Sequence, residues 1–410
     1  MRELALAWCS PLPPTRSGVA DYAFELLPEL SGIALLTVVR PPGWEGPQPS
    51  WAAAVRWSEA EAAPSGVNLC HLGNNPYHIW IAKRLRRFGG VVVLHDAVLH
   101  HLLVEEAAAE GAWDRFAQEL EAAHGSAGEA LARARRWGFS GPLDPFLFPA
   151  RRALLRFAQG VVVHNRWQAR TLREELPSLP VARVPLAVAE LAASDGGGLR
   201  RELGVGPEEL VAVHLGFLTP AKGLDTILRA FAVLEELKAP VRLWVVGEGV
   251  EAAALEQAVE RLGLSQRVRL LGYASPQRLG EVLAAADVGL VPRFPTAGET
   301  SAAALRFFAA GKPVVVCGLQ QFLEFPPEVA LRIRPGREGA VELVRWLGFL
   351  AENRQALEEK KRLAKQFWQR EGHEPRAAAR ALVEAVAALA QQARAAGKPW
   401  PGATPGEARG

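Results

Sequence analysis

Residues 291–316 read VPRFPTAGETSAAALRFFAAGKPVVV and constrain the fold more than any other stretch. An apolar run, 286–291, feeds a loop holding Pro292, Pro295 and Gly298. Glu299, Thr300 and Ser301 then open a short helical pattern, Gly311 closes it, and Pro313 introduces the next apolar run. Strand, small-residue loop, helix, strand is a βαβ unit. In such a unit the loop beyond the first strand's carboxyl end, with the helix N-terminus, seats a phosphate or a sugar. Glu299 at that N-terminus is also favourable against the helix dipole, so a capping carboxylate is its plainer reading.

The same alternation runs through the whole chain. Strand patterns at 4–9, 33–39, 67–72, 91–94 and 160–164 precede a small, polar, glycine-rich break, AELAASDGGG, at 189–198. Others follow at 210–215, 241–246, 268–271, 288–291 and 314–317, with helical patterns between them and at 338–367 and 375–395. Two halves of nearly equal size imply an α/β chain of two Rossmann-like domains facing a cleft. The expected division is a first domain over 1–188, a linker over 189–198 and a second domain over 199–373. A helix over 374–395 is free to pack back on the first domain, and 396–410 is expected to be disordered.

Composition excludes several classes. A net charge of +3 is nearly balanced, so the basic footprint of a nucleic-acid-binding protein is missing. Cys9, Cys70 and Cys317 are odd in number, far apart and set in apolar runs, which suits a reduced cytosol and offers no disulfide framework. No apolar run approaches the roughly 20 residues of a membrane span. The opening MRELALAWCSPLPP reads as a buried strand rather than a signal peptide, and the expected location is cytoplasmic.

Several polar residues stand where open α/β sheets place ligands, at carboxyl ends of strand patterns. Ser17 and Gly18 mark a strand-to-helix turn where backbone can approach an anion, although a simple tight turn looks the same. His95 and Asp96 follow the 91–94 strand. His78, His95, His100 and His101 invite a metal reading, but no zinc-type spacing is present and no metal is expected. Asn165 is placed to cap the helix after 160–164. Arg133, Arg135, Arg136, Arg151, Arg152 and Arg156 flank an insert rich in Trp, Phe and Pro. Such a segment suits an anionic lipid surface or an acceptor; two helices with solvated arginines are the plainer account and the preferred one.

Gly247 and Gly249 in VVGEGVEAAALE imitate the start of a dinucleotide fingerprint. The acid expected about twenty residues on is missing, and the motif falls in the second unit of its domain. A nicotinamide dehydrogenase is therefore disfavoured.

Taken in order, HLGFLTPAKGLDTILRAF (214–231), LWVVGEG (243–249), RVRLLGY (267–273), LAAADVGLVPR (283–293) and GETSAAALRFFAAGKPVVV (298–316) form a series. The series resembles the retaining GT-B glycosyltransferases of family four, the glycosyl transferases group 1. PLPPTRSGVADY, VVVLHD and VVVHN extend the likeness, more faintly, into the first half. The resemblance implies the GT-B fold, with donor bound mainly by the second domain and acceptor mainly by the first. It implies transfer of a sugar from a nucleotide-diphosphate donor to a sugar, lipid or small-molecule acceptor, with retention of configuration. No metal, no cofactor beyond the donor substrate and no nucleic-acid partner are implied. A peripheral contact at the inner face of the membrane remains open.

By the same resemblance, Ser17 and Gly18 belong to a loop facing the diphosphate, and His95 to the pocket around the transferred sugar. Lys222 matches the lysine that meets the donor phosphates, and Glu299 reaches sugar hydroxyls. Gly216, Gly298, Thr300 and Ser301 complete the donor seat, with Arg293 and Arg306 as further cations. His95, Lys222 and Glu299 are the catalytic candidates. Retention in this family is drawn as front-face attack within an ion pair, so no enzymic nucleophile is required.

The pattern departs at two places. Phe217 stands after Gly216, where the family commonly has Arg. The family's glutamate pair, eight positions apart, falls on Gly298 and Arg306, neither of them acidic. These departures keep a second reading open, a non-catalytic GT-B-like binding or partner subunit. A sugar-nucleotide epimerase is a smaller alternative.

Overall fold

The computed structural model describes residues 4–46, 48–192 and 195–395. The tail expected at 396–410, and 193–194 of the expected linker, lie outside the described residues. The chain divides into two compact units. The first combines the chain up to Ala187 with a short segment, Ala297–Thr300, and the stretch from Pro375 onward; the second takes Val188–Thr296 and Ser301–Glu374.

The first unit is built on strands β1 (Ala5–Cys9), β2 (Leu35–Val39), β3 (Arg56–Ser58), β4 (Val67–Leu72), β5 (Gly90–Leu94), β6 (Ala158–Val163) and β7 (Val181–Arg183). They form one parallel sheet in the order β3-β2-β1-β4-β5-β6-β7. Its helices are α1 (Gly18–Ser31), α2 (Ile79–Phe88), α3 (His100–Glu110), α4 (Trp113–Arg136), α5 (Asp144–Leu147), α6 (Arg151–Leu155) and α7 (Arg166–Glu175). The central strands are predominantly apolar because helices cover both faces of a parallel sheet; Val91, Val92, Val93 and Leu94 are wholly buried, and β4 buries Asn68 and His71 among its apolar residues. The edge strands β3 and β7 have no such run, which is why the sequence did not reveal them.

The second unit contains α8 (Gly196–Glu202), β8 (Leu210–Leu215), α9 (Leu224–Glu236), β9 (Val241–Val246), α10 (Ala252–Arg261), β10 (Val268–Gly272) and α11 (Pro276–Ala285). It continues with β11 (Val288–Val291), α12 (Ala302–Ala309), β12 (Val314–Cys317), β13 (Ala330–Ile333), α13 (Arg337–Glu352) and α14 (Arg354–Arg370). Its parallel sheet runs β10-β9-β8-β11-β12-β13. The last helix, α15 (Pro375–Ala395), belongs to the first unit, where it packs on α1 and β6. Gly160 in β6 lets Leu389 pack closely, since a Cβ there would crowd that side chain at 3.1 Å.

Three sequence expectations need correction. The glycine-rich break does not remain a linker: Gly196, Gly197 and Gly198 open α8. A Cβ on Gly196 would lie 2.6 Å from the Ala284 backbone, so the glycine serves close packing on α11. Arg200 then fastens α8 by donating to the Ala285 carbonyl (2.9 Å) and pairing with Asp287. The helical pattern 338–367 is two helices, parted at Asn353. Finally, the short helix begins at Ala302 rather than at Glu299, and Ser301 caps it by accepting from the Ala304 N–H (3.2 Å). A hydroxyl there satisfies a donor that the helix itself leaves open.

Asp287 knits the second unit together. Its carboxylate accepts from Arg200, from Lys361 (2.9 Å) and from the Val211 N–H (2.9 Å). Burial pushes the carboxyl up, but Lys361, the Val211 amide and Arg200 outweigh it and hold it below its ordinary value.

Candidate functional site

In the second unit the candidate residues gather at the carboxyl ends of β8, β9 and β11. Gly216 leaves β8 with φ +128, and a Cβ there would stand 3.5 Å from the Lys222 ammonium. A turn over Pro220–Lys222, closed by Gly223 in the left-handed region, carries that lysine back over the strand end. Gly223 is required twice: its φ is +72, and a Cβ would meet the Pro292 carbonyl at 2.2 Å. The loop after β11 is tied to the same turn by the Phe294 N–H donating to the Ala221 carbonyl (2.9 Å).

Gly247 and Gly249 now have a structural explanation. Their φ values are +141 and +156, and Cβ atoms there would strike the carbonyls of Gly216 (2.0 Å) and Leu218 (2.3 Å). They let the loop after β9 press against the loop after β8, a packing role that yields the same spacing as a cofactor fingerprint.

His214 reports the field at this place. It is buried, and its Nδ1 is 3.0 Å from the Leu290 carbonyl. Burial first, then the cations Lys222 and Arg293, hold its imidazole down to about 4. At neutral pH the ring is uncharged, and the two cations stand near enough to repel a third. The concentration of positive charge beside glycine backbone suits an anion. Phe217, in place of an arginine, is half exposed. Arg306 lies on α12 and donates to the Ala189 carbonyl (2.8 Å).

The first unit carries a second group at the carboxyl ends of β1, β4, β5 and β6. Ser17 caps α1, its hydroxyl accepting from the Val19 N–H (3.3 Å), and Gly18 has open space where a Cβ would project. His95 Nε2 is 2.9 Å from His71 Nδ1, so one ring donates and the other accepts. His164 and Tyr22 pack around His95 at ring separations of 5.0 and 4.9 Å. Burial, followed by the neighbouring rings of His164, His71 and His78, holds His95 well below an ordinary histidine. His71 is lowered by burial, His164 and His78, and His78 by burial to about 4. His71, His78 and His95 are thus neutral hydrogen-bonding groups at pH 7.

Of the four histidines noted in the sequence, His78 and His95 join this cluster, whereas His100 is turned to the Phe148 carbonyl (3.0 Å). His71 and His164 were missed. His71 lies inside an apolar strand and carries no motif of its own; His164 directly follows β6, where strand-end position was the available signal.

The Ala297–Thr300 segment groups with the first unit. Asn165 holds it, donating through Nδ2 to the Gly298 carbonyl (2.8 Å) and to Thr300 Oγ1 (2.9 Å). Its Oδ1 meanwhile accepts from the Gln168 N–H (2.7 Å) and caps α7 as expected. Glu299 turns its Oε2 onto the Ala297 N–H (3.1 Å), so its carboxylate shapes its own loop rather than capping α12.

Comparison with known proteins adds a family to this geometry. Residues 209–357, about a third of the chain and all but Ala297–Thr300 of them in the second unit, match the family described as Glycosyl transferases group 1. The D-inositol 3-phosphate glycosyltransferase of Segniliparus rotundus is 35% identical over 125 residues, 30% of this chain and 27% of that protein. The chain therefore spans about a quarter of the length of that relative. Among solved structures, sucrose-phosphate synthase from Thermosynechococcus elongatus matches with TM-score 0.68 and 17% identity, over 96% of this chain and 99% of the other. Anabaena HepE in complex with UDP and glucose matches with TM-score 0.61 and 16% identity, over 94% and 99%. These likenesses give the fold: two Rossmann-like units of the GT-B architecture.

Proposed function

We propose that this chain is a glycosyltransferase that moves a sugar from a nucleotide-diphosphate donor to an acceptor hydroxyl, with retention of configuration and without a metal. The observation that carries the reading is Lys222 poised over Gly216 inside the segment that matches the group 1 family. In such a transfer the bond from the anomeric carbon to the diphosphate breaks, and negative charge grows on the departing oxygen. A fixed ammonium, with Arg293 near, stabilises that charge where it develops. The acceptor oxygen forms the new bond on the face the diphosphate leaves, and its proton passes to a phosphate oxygen. His95, neutral and held by His71, offers the transferred sugar a hydrogen-bonding edge. Glu299 is the candidate for orienting sugar hydroxyls, and the Ser17–Gly18 turn the first unit's candidate for binding phosphate.

A specific observation favours a second reading, a GT-B-like subunit without turnover. Neither Gly298 nor Arg306 supplies the family's glutamates, and Gly298 has no room for one (a Cβ would lie 1.8 Å from Trp167).

Thermal unfolding with UDP, GDP, ADP, dTDP and NAD in turn separates these readings. A ligand at a hundred times its dissociation constant stabilises the folded state by about 2.7 kcal/mol. UDP is the expected stabiliser, as the Anabaena structure was solved with it. Stabilisation followed by donor-dependent release of the diphosphate supports transfer; binding without release supports the second reading. A response to NAD alone would overturn both.

A further inference from the structure

The segment joining α4 to α6 presents apolar side chains to solvent in a way that ordinary surfaces avoid. Trp137 is 79% exposed, Phe139 71%, Leu147 67% and Leu143 53%. They are not loosely held. The Phe139 N–H donates to the Ala134 carbonyl (3.0 Å), which folds the chain back over the end of α4. Asp144 accepts from the Gly141 N–H (2.7 Å) and pairs with Arg135 (3.4 Å), which closes the loop. Leu143 and Leu147, four residues apart around α5, share one side of that turn.

Within this segment's own sequence the charge is one-sided. Over 133–156 there are six arginines, Arg133, Arg135, Arg136, Arg151, Arg152 and Arg156, against one carboxylate, Asp144. Arg133, Arg136, Arg152 and Arg156 are exposed. Arg133 and Arg136 do pair, with Glu129 and Asp114, but between exposed groups such pairs are weak and yield to a denser source of negative charge. A tryptophan and a phenylalanine on a fixed loop that directly follows the exposed Arg133 and Arg136 match the boundary between lipid headgroups and acyl chains. A protein groove would take the apolar groups but has no general need for the arginines; an anionic bilayer takes both.

We propose that residues 133–156 form a membrane-docking tip, with Trp137, Phe139, Leu143 and Leu147 entering the interface of an anionic bilayer while the exposed arginines engage lipid phosphates. This inference is independent of the sugar-transfer reading.

Co-sedimentation of the purified full chain with vesicles tests it. Binding is expected to phosphatidylcholine vesicles containing phosphatidylglycerol, and to fall as salt rises. The double variant Trp137→Ser/Phe139→Ser should bind at least about tenfold more weakly, since each lost ring removes a large apolar area. Because both side chains are exposed, its thermal unfolding should match that of the parent. Arg133→Gln/Arg136→Gln should weaken binding to anionic vesicles alone. Absence of binding to anionic vesicles would overturn the proposal, as would undiminished binding by the Trp137→Ser/Phe139→Ser variant. A concentration-dependent dimer abolished by that same variant would assign the surface to a second copy of the chain instead.

Discussion

Trp167 occupies the space that any side chain at position 298 would need: a Cβ built on Gly298 lies 1.8 Å from Trp167 Cζ3. Gly298 also has φ +95, a backbone conformation that other residues adopt only under strain. Gly298→Ala should therefore cost about 1–3 kcal/mol, released mainly by detaching the 297–300 segment. Hydrogen exchange of the amides over 297–300 would read this directly. Exchange as slow as in the parent would show that the indole moves aside freely. Adding Trp167→Ala should relieve the clash but leave the φ penalty in place.

Asn165 performs two tasks with opposite ends of one amide, and the tasks separate by mutation. Asn165→Asp keeps an oxygen to cap α7 but loses both donors to Gly298 and Thr300. Asn165→Ala loses the cap as well, at about 1 kcal/mol. The expected outcome is fast exchange at 297–300 in both variants and a lower unfolding temperature for Asn165→Ala. Equal unfolding temperatures would remove the cap from this account.

Lys222→Ala should slow transfer by roughly 100-fold or more, as loss of a fixed group at a leaving oxygen does. Diphosphate release from the parent and the variant, measured side by side, checks it. An unchanged rate would take Lys222 out of the reaction. His95→Ala should reduce transfer more than it reduces nucleotide affinity; matching losses in both would place His95 away from the sugar.

The buried histidines make acid tolerance predictable. His214 is held down to about 4, below the ordinary 6.5, so the unfolded chain binds a proton that the folded chain refuses. Its stabilising effect is complete above about pH 6.5 and is lost as pH falls toward 4, in all about 3 kcal/mol. His78, also near 4, acts with the same sign in the first unit. Urea midpoints between pH 7 and pH 4 should fall, and His214→Gln should flatten the fall for the second unit only. A parallel fall in parent and variant would contradict the assignment.

Sequence conveyed most where one physical rule acted alone. Strands buried on both faces are predominantly apolar, so β4, β8, β9, β11 and β12 were legible with their bounds despite single polar residues such as His71 and His214. Edge strands such as β3 and β7 bury too little to leave that trace. The glycines of α8 signalled a linker because sequence cannot distinguish a glycine kept for freedom from one kept for close approach. At the candidate site, Lys222 and Gly216 stood in a readable motif. The His71–His95 contact and the Trp167–Gly298 exclusion join residues 24 and 131 positions apart, and no local pattern carries them.

The place of α15 bears on how the molecule is made. Leu382, Val386 and Leu389 are buried in the first unit, yet they follow the whole of the second unit in the chain. During synthesis the sheet that contains β1 therefore waits with one flank bare, beside α1 and β6, until α15 has left the ribosome. The second unit has all its own strands and helices by Glu374 and is free to close first. Of the two units, the one translated first is the one completed second, and in the interval its uncovered flank is the surface a chaperone would have to shield.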